Sequence, residues 1–326
     1  MLLRKLLAPS LGALALVAGP PAFAFEPQDV ECIAPSQPGG GWDFTCRQVG
    51  KTLHELGLLS EPVQVNNMPG GDGGVAFSHV VTDRNEDPNL LVAASTATTS
   101  NLAQDRYVNL DADDVRWVAA LGADFGTIAV SDDSPYQNLD ELIEAIKADP
   151  SQIAFSGGSV PGTWDHLKVL LVAKAAGIED VRSIKYIAFN SGGPALTQLL
   201  GGHVQAFTGD ITEVQGQLEA GNVRILAVLA PERLPTHPDV PTAKEQGYDV
   251  IGANWRGFYL PGGISDEAYD AWVEIFEQLY NSPEWEEVMA NNGLAPFWGS
   301  GEEFEEFVAT NIVELEELSK EAGVLN

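Results

Sequence analysis

The chain has 326 residues, and its 47 Asp and Glu against 17 Lys and Arg give a formal net charge of −30. That balance argues against a nucleic-acid partner. The length suits one large domain or two ordinary ones, and a hydrophobic fraction of 44% is ample for a packed core.

The first residues read as a secretory leader. Arg4 and Lys5 make a short basic start, Leu6 to Ala18 is apolar but short for a membrane span, and Ala22-Phe23-Ala24 fits a cleavage site after Ala24. A mature chain starting at Phe25, soluble and exported to a bacterial periplasm, is the expectation. No Cys stands at the cleavage point, which argues against a lipoprotein. The cysteines, Cys32 and Cys46, are a candidate disulfide in that compartment. Without a CxxC or a nearby His cluster, a metal role for them is disfavoured.

Strand-like and helix-like segments then alternate. "VECIAP" (30–35), "PVQVNN" (62–67), "LLVAAS" (90–95), "RWVAALG" (116–122) and "GTIAVS" (126–131) are short β-rich runs, with helices expected over 43–56 and 73–82. A second series follows: a helix over 139–148, the strand "QIAFSG", a helix over 163–176, the strand "IKYIAF", a helix over 194–200 and the strand "VQAFTG". "VRILAVLAP" (223–231) reads as a long apolar strand, and the tail from Asp266 to Leu325 as acidic and largely helical. The βαβα order predicts two open, mostly parallel sheets with helices on both faces. Residues 25–128 with 226–326 are expected to form one domain, and 129–225 the other. The chain crosses between them twice, so a hinged pair with a cleft is expected.

Ligands in parallel α/β sheets bind at the carboxyl ends of strands. The loops there are Pro38-Gly39-Gly40-Gly41-Trp42-Asp43, "NNMPGGDGG" (66–74), "STATTS" (95–100), "SGGSVPGT" (156–163), "FNSGGP" (189–194) and "TGDITE" (208–213). All are rich in Gly, Ser, Thr and Asn, and most open onto an expected helix start. Helix N-termini carry unpaired N–H groups and partial positive charge, glycine permits close approach, and small hydroxyls add neutral donors. Carboxylates or phosphates are the natural guests. A single Gly-rich turn is more often only a turn; six of them on one side of two units carry the argument. Asp43 reads best as a helix cap, Trp42 as core or as a cleft wall, and His166 as a packing residue. Asp210 is an odd presence in an anion site: it either caps the next helix or accepts a ligand hydroxyl or ammonium.

"PGGGWDFTCR", "NNMPGGDGG", "FSGGSVPGTWDH", "FNSGGPALTQLLGGHV", "LAVLAPERLPTHPDVPTAKEQGYDV" and "WRGFYLPGGIS" occur in that order over nearly the whole mature chain. Together they resemble the extracytoplasmic solute receptors of tripartite tricarboxylate transporters, the Bug-type binding proteins, and the opening motif looks most like the tricarboxylate-receptor branch. The resemblance implies a type II periplasmic-binding-protein fold, two doubly wound α/β domains joined by a two-segment hinge. It implies a citrate-like carboxylate held by backbone amides and small hydroxyls, and delivery to two integral membrane subunits. Where many relatives have a Tyr-Lys-Gly-like stretch, this chain has Phe189-Asn190-Ser191-Gly192, which removes a cation.

The expected ligand contacts are Gly40, Gly41, Trp42 and Asp43 in the first loop and Ser95 and Thr96 in the third. In the second unit they are Ser156, Ser159, Thr163, Asn190, Ser191, Gly192 and Asp210. All but Asp43 and Asp210 are neutral, so grip without lysine or arginine is the expectation. No cofactor, metal or catalytic residue is expected, and a monomer is. The competing readings are an exported enzyme and a receptor that presents its solute to a signalling partner. The enzyme lacks motifs: Gly157-Gly158-Ser159-Val160-Pro161 breaks the Gly-x-Ser-x-Gly pattern, no glycine-rich loop runs into Lys-Ser or Lys-Thr, and His54, His79, His166, His203 and His237 are scattered.

Overall fold

Alternating apolar and glycine-rich segments fold as their periodicity predicts through the first part of the chain. The computed structural model describes residues 25–325; the expected leader and its cleavage point lie outside the described residues. Strands β1 (Glu31–Ala34), β2 (Gln64–Asn67) and β3 (Leu90–Ser95) alternate with helices α1 (Gly41–Glu55) and α2 (Gly74–Asp83). Helix α3 (Thr96–Ala103) then starts directly at the end of β3. Its "TATTSN" opening has weak helix propensity and reads as loop. The helix forms because Ser95 caps it: the Ser95 hydroxyl accepts from Ala97 N–H while Thr98 accepts from Ser95 N–H. Tertiary packing then buries nearly every residue of α3.

The two runs expected at 116–122 and 126–131 are one strand, β4 (Val115–Ser131). The second series follows in order: α4 (Leu139–Ala148), β5 (Ala154–Gly157), α5 (Trp164–Ala175), β6 (Lys185–Ala188), α6 (Gly192–Leu200), β7 (Ala206–Asp210), α7 (Ile211–Glu219) and β8 (Val223–Val228). The chain closes with β9 (Ala253–Pro261), α8 (Asp266–Tyr280), α9 (Pro283–Asn292), β10 (Gly299–Ser300) and α10 (Gly301–Glu321). Among the described residues no helix is long and apolar enough to cross a membrane.

One arrangement of strands occurs twice. In the first lobe the order is β2-β1-β3-β9-β4, with β1 parallel to β2 and β3, and β9 antiparallel to β3 and β4. In the second, β6 and β7 flank β5 in parallel, and the far end of β4 runs antiparallel between β7 and β8. Thus β4 serves both lobes, pairing with β9 up to Phe125 and with β7 and β8 from Gly126 onward. Alternate residues of each strand enter opposite cores. Cys32 and Ala34 face the Trp272–Phe276 cluster while Ile33 faces Phe77 and Tyr259. Ile128 and Val130 face the Leu142–Ile146 cluster while Ala129 faces Phe207 and Leu199.

The return crossing lies between β8 and β9. The boundary at residue 226 falls inside β8, whose partner is the second-lobe end of β4. The chain re-enters the first lobe only at β9. An apolar strand carries no mark of the sheet it joins, so the sequence could not place this crossing. At the crossing, Gly126 N–H donates to Gly252 O at 2.9 Å, Gly252 N–H to Leu229 O at 2.8 Å, and Leu229 N–H to Gly126 O at 2.7 Å. A Cβ on Gly126 would stand 2.5 Å from Lys168 Cδ, so glycine there lets a buried lysine stem pass beneath.

Cys32 on β1 and Cys46 on α1 are joined in a disulfide, with Cα atoms 5.9 Å apart and a sequence separation of 14. Closing a loop of that length contributes about 3 kcal/mol through the unfolded chain. A Cys32→Ala/Cys46→Ala variant should therefore lose roughly that much stability in urea titration, and thiol titration of unfolded, unreduced wild type should find no free sulfhydryl. Two titratable thiols would overturn the bridge.

Candidate functional site

The glycine-rich loops bring helix starts together between the lobes. Gly40 is the N-cap of α1 and Ser191 that of α6; both are extended, Gly40 has no side chain to cap with, and the Ser191 hydroxyl does not cap its helix. The two starts are pressed against each other: a Cβ on Gly40 would stand 2.8 Å from Ser191 Cβ and 3.0 Å from Ser36 Oγ, and one on Gly193 would stand 3.3 Å from Pro38 O. Helix α5 begins nearby at Trp164, after Thr163, again without a side-chain cap. These ends surround a cavity of about 40 Å³, room for a few waters.

The cavity collects donors that the chain does not satisfy. Ser36 Oγ, Ser191 Oγ, Trp164 Nε1 and Arg256 Nε are buried, have no hydrogen-bond partner among the described residues, and belong to residues lining this cavity. The indole and guanidinium nitrogens can only donate. A buried donor left unpaired costs about 1–3 kcal/mol, so four of them around one cavity call for an acceptor.

Beneath these donors lies a buried ion network spanning both lobes. Asp210, at the end of β7, accepts from Lys168 Nζ at 2.7 Å through Oδ1, and from Arg256 Nη2 at 2.8 Å and Asn254 Nδ2 through Oδ2. Arg256 Nη2 also donates to Asp124 Oδ2 at 2.8 Å, which Thr212 Oγ1 approaches from the other side. Lys168, with 0% side-chain exposure, pairs with Asp165 at 2.9 Å as well. Burial works to raise the Asp210 carboxyl, but Lys168 and Arg256 pull it below its ordinary range. Burial outweighs Arg256 at Asp124 and raises that carboxyl. Burial opposes the charge on Lys168, yet Asp165 and Asp210 hold its ammonium above the usual lysine range.

Two further acids line the cavity. Asp72, from "PGGDGG", adopts φ 52°. Its Oδ2 accepts from Asn101 Nδ2 at 2.9 Å and, across the cleft, from Thr163 Oγ1 at 2.7 Å. Burial pushes this carboxyl up to about 6 against those hydrogen bonds. Glu213, in the first turn of α7, accepts from Asp210 N–H at 3.1 Å and from Gly41 N–H of the other lobe at 3.1 Å. Burial, with Asp210 and Asp165 close by, pushes it up to about 8.

Among the expected contacts, Gly40, Gly41, Trp42 and Ser95 line the cavity from the first lobe. Ser159, Asn190, Ser191, Gly192 and Asp210 line it from the second. Trp42 is core and cleft wall at once, belonging to the first-lobe cluster while donating to Ser95 Oγ at 3.0 Å. Asp43, Thr96, Ser156 and Thr163 are set back, with their polar atoms already in use. Asp43 accepts from Gly39 N–H and pairs with Arg47; burial of its carboxyl is outweighed by hydrogen bonds from Arg47, Gly39 and Asn67, which lower it. Thr96 ties to Ala253 and Trp255, Ser156 donates to Ala195 O, and Thr163 holds Asp72. His166 accepts from Gly162 N–H and stacks on Tyr186, a packing role.

The sequence reading named no cation here, yet the Arg256 side chain lines the cavity and Lys168 stands behind it, paired with Asp165 and Asp210. Sequence reasoning missed Ser36, Asp72, Asp124, Trp164, Lys168, Glu213, Asn254 and Arg256. A signal existed for two of these. Arg256 interrupts the aromatic strand "NWRGFYL" and Lys168 the apolar helix "LKVLLV", and a charge inside such a run needs a buried partner.

The family model described as "Tripartite tricarboxylate transporter family receptor" matches residues 45–324. The chain is 26% identical over 317 residues to the protein BugT of Bordetella pertussis, covering 95% of this chain and 94% of that one. The solved structure of the periplasmic binding protein BugD aligns with a TM-score of 0.80 at 24% identity, over 90% of this chain and 97% of that one. An R. palustris protein solved with adipate aligns with a TM-score of 0.81 at 22% identity, over 90% and 97%. These likenesses establish the fold as that of the type II periplasmic binding proteins.

Replacing Lys168 with Met leaves Asp165 and Asp210 buried together without their shared cation. Lys168→Met should cost about 3–5 kcal/mol in denaturant titration. A loss below about 1 kcal/mol, the size of a surface pair, would show that the network is not structural.

Proposed function

The chain belongs to the family of tripartite tricarboxylate transporter receptors, and we propose that it is a periplasmic receptor whose lobes close on a small carboxylate and deliver it to a permease of two integral membrane subunits. The observation that carries this reading is the convergence of Ser36, Ser191, Trp164 and Arg256 donors on one interlobe cavity. Three come from side chains without formal charge, and all can serve carboxylate oxygens. Gly40, Gly41, Trp42, Ser95, Ser159, Asn190, Ser191 and Gly192 complete the proposed contact surface. Asp210 holds Arg256 and Lys168 in place rather than meeting the ligand.

Charge favours a dicarboxylate over citrate. The cavity wall already carries Asp72, Asp165 and Asp210 beside Arg256, and each further ligand charge adds repulsion in a medium of low dielectric. The adipate held by a protein of the same fold supports this choice. Residues 25–125 with 253–325 are proposed as one closing body and 127–252 as the other. Export through the leader, a monomeric state and binding without a cofactor complete the reading.

Thermal melts should rise with adipate, malate or citrate and stay level with glucose. Saturation at about a hundred times Kd adds about 2.7 kcal/mol. A shift with glucose alone would refute the anion assignment. Gly40→Val pushes a side chain between Ser36 and Ser191 and should weaken carboxylate binding at least tenfold in calorimetry, about 1.4 kcal/mol. Unchanged affinity would make the loop only a turn.

A further inference from the structure

Unlike Asp124, Asp165 and Asp210, Glu213 has no cation paired with it among the described residues; Asp72 shares that lack but is held by Asn101 and Thr163. Lys168 is held by Asp165 and Asp210, and Arg256 by Asp124 and Asp210. Those three aspartates already outnumber the two cations before Glu213 is counted. Its carboxyl nevertheless sits where the glycine loops meet. Oε1 accepts from Gly41 N–H at the start of α1, Oε2 from Asp210 N–H at the start of α7, and a Cβ on Gly192 at the start of α6 would collide with the group. The charged groups facing it are Asp210 from β7, Asp165 and Lys168 from α5, Arg256 from β9 and, behind Arg256, Asp124 from β4. Helices α1 and α6 bring glycine backbone against it.

Resting on the carboxylate-receptor reading, we propose that Glu213 meets one carboxylate of the ligand as a neutral acid, donating its O–H, so that in alkaline solution, where the free group is ionised, each dicarboxylate bound takes up one proton. An ionised Glu213 would repel the ligand and compete with it for Gly41 N–H. Protonated, it adds a donor beside Ser191 and Arg256 without adding charge. The proton comes from solvent and remains on Glu213 until the ligand leaves. The free protein's carboxyl, pushed up to about 8, loses its proton as pH rises through that value, whereas an adjacent ligand anion retains it. The complex therefore holds more protons than its separated parts, and affinity falls with rising pH.

The test is calorimetry on the mature chain with the tightest of adipate, malate and citrate, at about pH 7 and about pH 9, in buffers of different ionisation heat. Wild type should bind about tenfold more weakly at the higher pH and take up close to one proton there. Glu213→Gln should abolish both the slope and the uptake. Binding without proton uptake at about pH 9, or a Glu213→Gln variant that keeps the wild-type slope, overturns this role and leaves the receptor reading standing. Should none of the three acids bind, the receptor reading falls and this role with it. If melting curves show the variant unfolded, the wild-type proton count decides alone.

Discussion

The guanidinium of Arg256, shared between Asp124 and Asp210, is the constraint on which the rest of the cleft depends. Its strand belongs to the first lobe, Asp210 closes a strand of the second, and Asp124 lies on β4 where the chain crosses between them. One buried cation thus holds the two lobes in register at their junction. Such a pair adds little net stability compared with an apolar replacement, yet its disruption leaves charges stranded in a medium that cannot solvate them. Position, rather than net energy, is what the network supplies.

That saturation is how an acidic chain could offer the anion site proposed above. Lys168 spends its charge on Asp165 and Asp210, and Arg256 spends much of its own on two aspartates. What remains for a ligand is one edge of a guanidinium, an indole N–H, hydroxyls and the first amides of several helices. At physiological salt the screening length is about 8 Å, so most surface carboxylates act weakly inside a closed cleft. Dipoles at hydrogen-bond distance dominate there, and the glycines at 40, 41 and 192 allow that distance. The same glycines let Arg256 and Glu213 pack directly on the backbone, so the loops serve the protein's own charges as well as a guest.

Much of this was legible in the sequence where the signal is local. The β-rich runs of β1 and β3, the helix over 139–148 and the Gly-Ser-Thr loops announced themselves, and most of the loop residues they nominated line the cavity. Helix α3 was not legible, because a run of threonine and serine has no helical preference until it is buried. The β8 assignment was open for a related reason: an apolar strand joins whichever sheet lies beside it.

Composition and order alone determined an α/β chain with repeated strand–loop–helix units, glycine-bared turns and the family's motifs. Periodicity and backbone sterics act between neighbours and need no partner from afar. The tertiary structure alone decided that Arg256, 46 residues beyond Asp210 and 132 beyond Asp124, would neutralise them. It also decided that Glu213 would reach Gly41 from 172 residues away. Coulomb interactions and hydrogen bonds depend on distance in space, and chain separation does not encode that distance until the sheets have formed.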